Sequence, residues 1–370
     1  MSEIIIECVP NISEGRNLEI INSIVDSARE INGVSVLGCE PDSDYNRTVI
    51  TIAGDPTSVT KGAYAIILKS LELIDMREHN GNHPRMGAVD VCPFVPLSEN
   101  SMDHCINSAK ELSRMIGDLV PHFFYGHAAS SDSRKSLSNL RKLEYEGLES
   151  RFFNGDWVDE DTRMPDVWSG EWGENERRFG AVAIGARNIL VAYNVNVNEI
   201  DAKVSKIAGS LIRASGRLIK NNGKKMRVNG MLKHVQGMGV PLPSSSISQV
   251  SMNLQNVSET SMHKAFETVK SIVNDHGIDT CGSELVGLVP LNAMLESGKW
   301  FCPDPDNASE EELVAHAIEG LGLDYLRKFD PNISIIEWAM QNKGDTNAVS
   351  YTHLRAHETR GNLVCRLLLE

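Results

Sequence analysis

The sequence predicts an α+β protein made of two tandem ferredoxin-like units, each an antiparallel sheet with helices packed on one face. Three observations predict this. Strand-like and helix-like segments follow the order βαββαβ, and the same order returns later in the chain. A long acidic stretch separates the two runs. The length, 370 residues, suits two domains of ordinary size. The expected boundaries are an N-terminal unit over 1–178, a C-terminal unit over 179–340 and a tail over 341–370.

The elements follow from local pattern. Glu3–Val9 is short and β-branched, as strands are. Asn17–Ile31 places Leu18, Ile21, Ile24, Val25, Ala28 and Ile31 on one helical face, and Gly33 stops it. Val34–Cys39 and Arg47–Ala53 are the next strands. Asp55-Pro56 supplies an N-cap and a first-turn proline for a helix to Ile74. Ala88–Val95 closes the first βαββαβ unit. A helix over Ser101–Ile116 and a strand over His122–Tyr125 follow.

Phe152–Phe179 carries eight acidic residues and three tryptophans, and reads as a surface connection between domains. Beyond it, Asn188–Val197 is a strand and Glu199–Ser215 a helix. Arg227–Val235 and Ser246–Leu254 are strands, Thr260–Asn274 a helix and Asp279–Val289 a strand. No residue-level repeat links the halves, so the duplication rests on element order.

Composition narrows the function classes. Hydrophobic residues make up 41% and charged residues 23%, as in ordinary globular chains. The net charge of −14 disfavours nucleic acid and anionic membranes as partners. It leaves room for a small anionic ligand held by local arginines. No apolar run approaches the roughly 18 residues of a membrane span, and the N-terminus lacks the basic region of a signal peptide. Seven cysteines without a CxxC pair fit free thiols in a cytoplasmic chain. The string Val349–Glu370 resembles an in-frame translation of a sequencing-library adapter, so it is set aside from the fold and the natural C-terminus is left open.

The densest polar cluster is Asp75–Ala88, which joins the second helix to the fourth strand. Gly81, Gly87 and Pro84 prevent a continuous helix, so His79, His83 and Arg85 are held on a loop, where function is often placed. A fixed imidazole can act as a general base. Arg85 can hold a carboxylate through a bidentate pair. Three plainer readings stay open. Both histidines are solvated loop residues, or they bind zinc as an i, i+4 pair, or Arg85 pairs only with Asp90. Two further connections bear polar groups. Pro10–Arg16 offers Asn11 and backbone donors to an anion, and Glu40–Arg47 offers carboxylates beside Asn46 and an arginine. Each also reads as a simple cap or turn. Sequence alone does not bring the three connections together. No Walker A loop, GxSxG elbow or GxGxxG fingerprint is present.

Six ordered blocks then resemble one family: ECVPNISEGR (7–16), NRTV (46–49), HNGNHPRMGAVDVCPFVPL (79–97), GAVAIGARNILVAYNVNV (180–197), KHVQGMG (233–239) and SELVGLVPLNAML (283–295). Together they are similar to the formiminotransferase family. The resemblance implies two ferredoxin-like subdomains with a substrate channel between them. It implies transfer of a formimino group between N-formiminoglutamate and tetrahydrofolate in histidine breakdown, without a metal. The family's catalytic histidine falls on His83. Its substrate-binding positions fall on Asn11, Glu40, Asn46 and Arg47, and Arg85 and Arg187 are further candidates for ligand carboxylates. The family's folate stretch falls on Val167, Trp168, Ser169, Gly170 and Phe179. Tetrahydrofolate is expected as co-substrate, and a homodimer or higher homo-oligomer as the assembly. A formyl donor, or folate binding without turnover, are the competing readings.

Overall fold

The computed structural model describes residues 4–343, apart from 44, 82, 98–100, 154–156, 158, 222–223 and 243–244. The adapter-like string lies outside the described residues. The chain divides into two compact units after Asn188. The division falls ten residues beyond the expected boundary because Val182–Ala186 belongs to the first sheet.

In the first unit the opening strand comes in two pieces, β1 (Ile6–Cys8) and β2 (Asn11–Ile12), broken at Val9-Pro10. Helix α1 (Leu18–Arg29) follows, then β3 (Val34–Asp42), β4 (Arg47–Gly54), α2 (Pro56–Leu73) and β5 (Val89–Pro96). The cap predicted at Asp55 forms, and Asn17 caps the first helix. The Asn17 side chain accepts from the amides of Glu19 and Ile20, and that of Asp55 from Thr57 and Ser58. Each such cap contributes about 1 kcal/mol. Then come α3 (Met102–Ile116), β6 (His122–Gly126), the short helices α4 (Leu137–Leu140), α5 (Leu148–Phe153), α6 (Glu160–Arg163) and α7 (Glu174–Phe179), and β7 (Val182–Ala186).

The strands lie in the order β3, β4, β1/β2, β5, β7, β6. The first four positions pair antiparallel, and β5, β7 and β6 run parallel. Ile50, Ile52, Cys92 and Phe94 point into one face, where α1, α2 and α3 bury Ile21, Ile24, Ala63, Ile66 and Leu112 against them.

The acidic stretch corrects an expectation. It is not a surface connection: Phe152, Trp168 and Trp172 pack with Phe123, Tyr125, Leu140 and Ala183 on the opposite face of β5, β7 and β6. Arg151 is fully buried there. It donates to the carbonyls of Leu140 (2.6 Å), Arg163 (2.8 Å) and Thr162, and lies 4.0 Å from the Trp157 ring centre. The aromatics anchor the segment while Glu160, Asp161, Glu171 and Glu174 face outward, which is why composition alone misread it.

The second unit runs β8 (Val191–Val197), α8 (Lys203–Ile212), a two-stranded ribbon of β9 (Arg217–Asn221) and β10 (Lys224–Val228), β11 (Val235–Leu242), β12 (Ile247–Leu254), α9 (Met262–Asn274) and β13 (Thr280–Val286). Helices α10 (Leu291–Phe301), α11 (Glu310–Leu321), α12 (Pro331–Ser334) and α13 (Ile336–Lys343) end the described chain. The sheet order is β11, β12, β8, β13, all antiparallel. In chain order both sheets therefore place their strands as second, third, first, fourth.

The strand expected over Arg227–Val235 is a second correction. Arg227 and Val228 sit in the ribbon, and the sheet strand is Val235–Leu242. Its glycines and proline imitate a loop. The glycines are there because α8 crosses the strand closely: a Cβ on Gly239 would sit 2.1 Å from the Lys206 amide nitrogen.

Candidate active site

Three connections of the first unit converge on the sheet face turned away from α1, α2 and α3. Register explains why. Asp42 lies opposite Arg47 and Glu40 opposite Val49, while Asn11 also lies opposite Val49. Since side chains alternate along a strand, Asn11, Glu40, Asp42 and Arg47 share one face.

Hydrogen bonds stitch the connections together. Ser13 Oγ donates to the Gly87 carbonyl (2.7 Å). Arg16 donates to the Ser43 carbonyl (2.9 Å) and to Asn80 Oδ1 (2.7 Å). The loop from Asp75 to Ala88 is pinned at both ends by fully buried Met76 and Met86. The Met76 amide donates to the Arg178 carbonyl (2.8 Å) and the Ala88 amide to the Phe179 carbonyl (2.7 Å).

At the centre stands His83, 4% exposed. Its Nδ1 lies 2.7 Å from the Pro84 carbonyl. A carbonyl has no hydrogen to give, so Nδ1 carries the proton and Nε2 the lone pair. Nε2 accepts from Arg47 Nη1. Arg47 also donates from Nε to Asn11 Oδ1 (2.8 Å) and from Nη2 to the same oxygen. Asn11 in turn donates to the Val9 carbonyl (2.9 Å). A continuous relay thus runs from the broken first strand through Asn11 and Arg47 to the lone-pair nitrogen of His83. The Tyr45 ring meets His83 edge-on at 5.8 Å.

Arg85 does not pair with Asp90. Its Nη1 donates to Glu144 (2.9 Å) and Glu146 (2.9 Å), its Nη2 to Glu146 (2.5 Å) and its Nε to His79 Nδ1 (3.2 Å). The guanidinium holds the Glu146 carboxyl below its usual range. Asp90 instead receives Arg141 (2.5 Å) in an ion pair whose side chains are 5% and 2% exposed. Glu144, Glu146 and Arg141 were invisible in the sequence. They lie more than fifty residues from their partners, and no spacing rule spans that distance.

Both imidazoles are occupied in this arrangement. His79 Nε2 lies 2.9 Å from the Asn46 carbonyl, and its Nδ1 faces Arg85. With guanidinium groups beside each ring, the pair is a poor cation site. Among the described residues no group of three His, Cys, Asp or Glu side chains is placed to hold a metal ion.

The remaining expected site residues stand outside this relay. Glu40 is half-buried on β3. Arg187 donates to the Asn188 carbonyl (3.1 Å), and its amide bonds to Phe94, three residues along β5 from Val91, the neighbour of Asn11. Val167 bridges to His122. Trp168 meets Phe152 at 4.9 Å with the rings tilted 44° apart, Ser169 and Gly170 are exposed, and the Phe179 side chain is fully buried in the main core.

The chain matches two family models, "Formiminotransferase domain, N-terminal subdomain" over residues 5–187 and "Formiminotransferase domain" over 192–341. It belongs to the formiminotransferase family. A glutamate formimidoyltransferase of Streptococcus pyogenes serotype M1 is 33% identical over 324 residues, covering 85% of this chain and 99% of that protein. One from Thermoplasma acidophilum is 35% identical, covering 80% and 92%. The formimidoyltransferase-cyclodeaminase of Rattus norvegicus is 36% identical over 357 residues, covering 95% of this chain but 63% of the longer protein. The chain thus spans about three fifths of the length of the formimidoyltransferase-cyclodeaminases it matches. Formiminotransferase membership accounts for the six ordered sequence blocks. No helix among the described residues is long and apolar enough to cross a membrane.

Proposed function

We propose that this chain is a glutamate formimidoyltransferase, moving the formimino group between N-formiminoglutamate and tetrahydrofolate. The relay Asn11–Arg47–His83 carries this reading, because it presents a neutral imidazole beside a cation suited to an anionic substrate.

The reaction needs one proton moved twice. The tetrahydrofolate amine attacks the formimino carbon, and Nε2 of His83 takes the amine proton as the new C–N bond forms. The tetrahedral intermediate then breaks its bond to the glutamate nitrogen, and His83 returns the proton to that leaving amine. Arg47 caps Nε2 before substrate arrives. A carboxylate brings a full negative charge and can accept two guanidinium hydrogens at once, which a neutral imidazole nitrogen cannot. The substrate carboxylate therefore draws Arg47 away and frees the base only when the donor is in place. Asn11 steers Arg47 between the two positions. Arg85, already held by two glutamates, supports the loop rather than the ligand. Trp168, Ser169 and Gly170 contribute to folate binding, and Arg187 is a second carboxylate anchor. Both units are ferredoxin-like on their shared strand order, and a cytoplasmic homodimer is the working assembly.

The test mixes the full chain with tetrahydrofolate and either N-formiminoglutamate or N-formylglutamate and follows glutamate release. Release from the formimino donor at a much higher kcat/KM is expected. Preference for the formyl donor, or folate-induced stabilisation without any release, overturns the assignment.

A further inference from the structure

The His83 relay depends on one residue held in an unusual backbone conformation. Asn46 has φ of 51°, in the left-handed region that residues with a Cβ adopt rarely. Arg47 follows it directly, so the direction of the Arg47 side chain is set by how Asn46 is held. Asn46 is fixed at three atoms. Its Oδ1 accepts from the Gly15 amide (3.0 Å), its Nδ2 donates to the Asn80 carbonyl (3.0 Å), and its own carbonyl receives His79 Nε2 (2.9 Å). Gly15 has to be glycine for this: a Cβ there would lie 2.0 Å from the Asp42 carbonyl oxygen.

We infer that His79 is a positioning residue for the transferase reaction, holding Asn46 in the left-handed turn that delivers Arg47 to Asn11 and His83. The inference rests on the reading of His83 as the base. Both nitrogens of His79 are committed within the protein, so His79 does not touch substrate. Nε2 faces a carbonyl and carries the proton; Nδ1 faces the Nε–H of Arg85 and carries the lone pair. The two contacts select the same neutral tautomer. Arg85 is itself fixed by Glu144 and Glu146, so a brace runs from these glutamates through Arg85 and His79 to the Asn46 backbone. Burial, with the Arg85 cation, holds the His79 imidazole below its usual pKa despite its bond to the Asn46 carbonyl and nearby Glu14. A protonated ring would place two donors face to face at Arg85.

Two substitutions separate positioning from mere packing. Gln in His79→Gln supplies one amide donor for the Asn46 carbonyl and one amide oxygen for Arg85. Leu in His79→Leu fills similar volume and supplies neither. In the full chain, His79→Leu is expected to lower kcat about tenfold or more, since small misplacements of catalytic groups cost that much. His79→Gln is expected to restore kcat to within about threefold of wild type, with KM for tetrahydrofolate unchanged. Equal loss in both variants, full activity in His79→Leu, or a large rise in KM in His79→Gln each overturns the inference.

A second readout stands apart from turnover. With 15N-histidine labelling, the His83 Nε2 resonance reports its bond from Arg47. It is expected to move in His79→Leu and to stay in His79→Gln. An unmoved resonance in His79→Leu overturns the inference. Absence of wild-type turnover overturns the transferase reading alone and leaves this measurement valid.

Discussion

The two units share an element order and a strand order, yet the proposed catalytic histidine and its arginine relay lie in only one of them. The difference lies in a single connection. In the first unit the path from the second helix to the fourth strand, from Ile74 to Ala88, carries His79, His83 and Arg85. In the second unit the same path is the short turn Asp275–Asp279, whose His276 Nδ1 bonds to the Ile272 carbonyl at the end of its own helix (2.8 Å). The proposed site thus coincides with the longer of the two connections, which is anchored at both ends. The second unit spent its extra residues elsewhere, on the ribbon β9–β10 and the helices α10–α13.

The largest expected effect tests that contrast directly. Replacing His83→Ala removes the base and is expected to lower kcat by about 10²–10⁴-fold. Its counterpart in the other unit, His276→Ala, is expected to leave kcat within about twofold. Steady-state kinetics on both variants, with circular dichroism to confirm folding, decide the matter. An active His83→Ala removes the functional asymmetry between the units.

Buried charge gives a second contrast. Asp90→Ala strands Arg141 in the first unit's interior and is expected to cost about 3–5 kcal/mol in urea unfolding. The second unit holds a looser pair, Arg327 with Glu284 at 3.6 Å, with the Arg327 side chain half exposed. Arg327→Ala is expected to cost about 1 kcal/mol or less. Equal costs would mean that the loop's foundation is no stiffer than the rest.

The smallest effect is a pH dependence. His122 is fully buried, with Nδ1 toward the Val120 carbonyl (3.1 Å) and Nε2 toward Ser113 (2.7 Å), and burial lowers its pKa. The unfolded chain therefore binds this proton more readily than the folded one. Stability from His122 is present above about pH 6.5 and falls as pH drops through that value, levelling below the folded pKa. The slope is at most about 1.4 kcal/mol per pH unit. His122→Gln is expected to flatten the curve more than His263→Gln in the second unit, where the histidine is only half-buried. Identical curves would assign the acid limb to other groups.

Much of the framework was legible locally. Asn17 and Asp55 cap helices as their side-chain chemistry dictates, and the 3–4 spacing in α1 buries Ile21, Ile24, Val25 and Ala28. Periodicity and capping are properties of a few neighbouring residues, so the sequence carries them. Two segments were misread where a local signal served a distant contact. The glycines of β11 look like a loop but make room for α8, and the acidic stretch looks like a linker but lays its aromatics on a sheet.

The sequence by itself determined the residue types of the site: a histidine before a proline on a glycine-bearing loop, an arginine after an asparagine, and an asparagine beside a broken strand. Tertiary structure decided what each one does. Strand register placed Asn11 and Arg47 on one face, the left-handed turn at Asn46 aimed Arg47 at His83, and Glu144 with Glu146 drew Arg85 away from solvent and onto His79. Hydrogen bonds act over about 3 Å. Only a folded chain brings residues thirty to sixty positions apart within that reach.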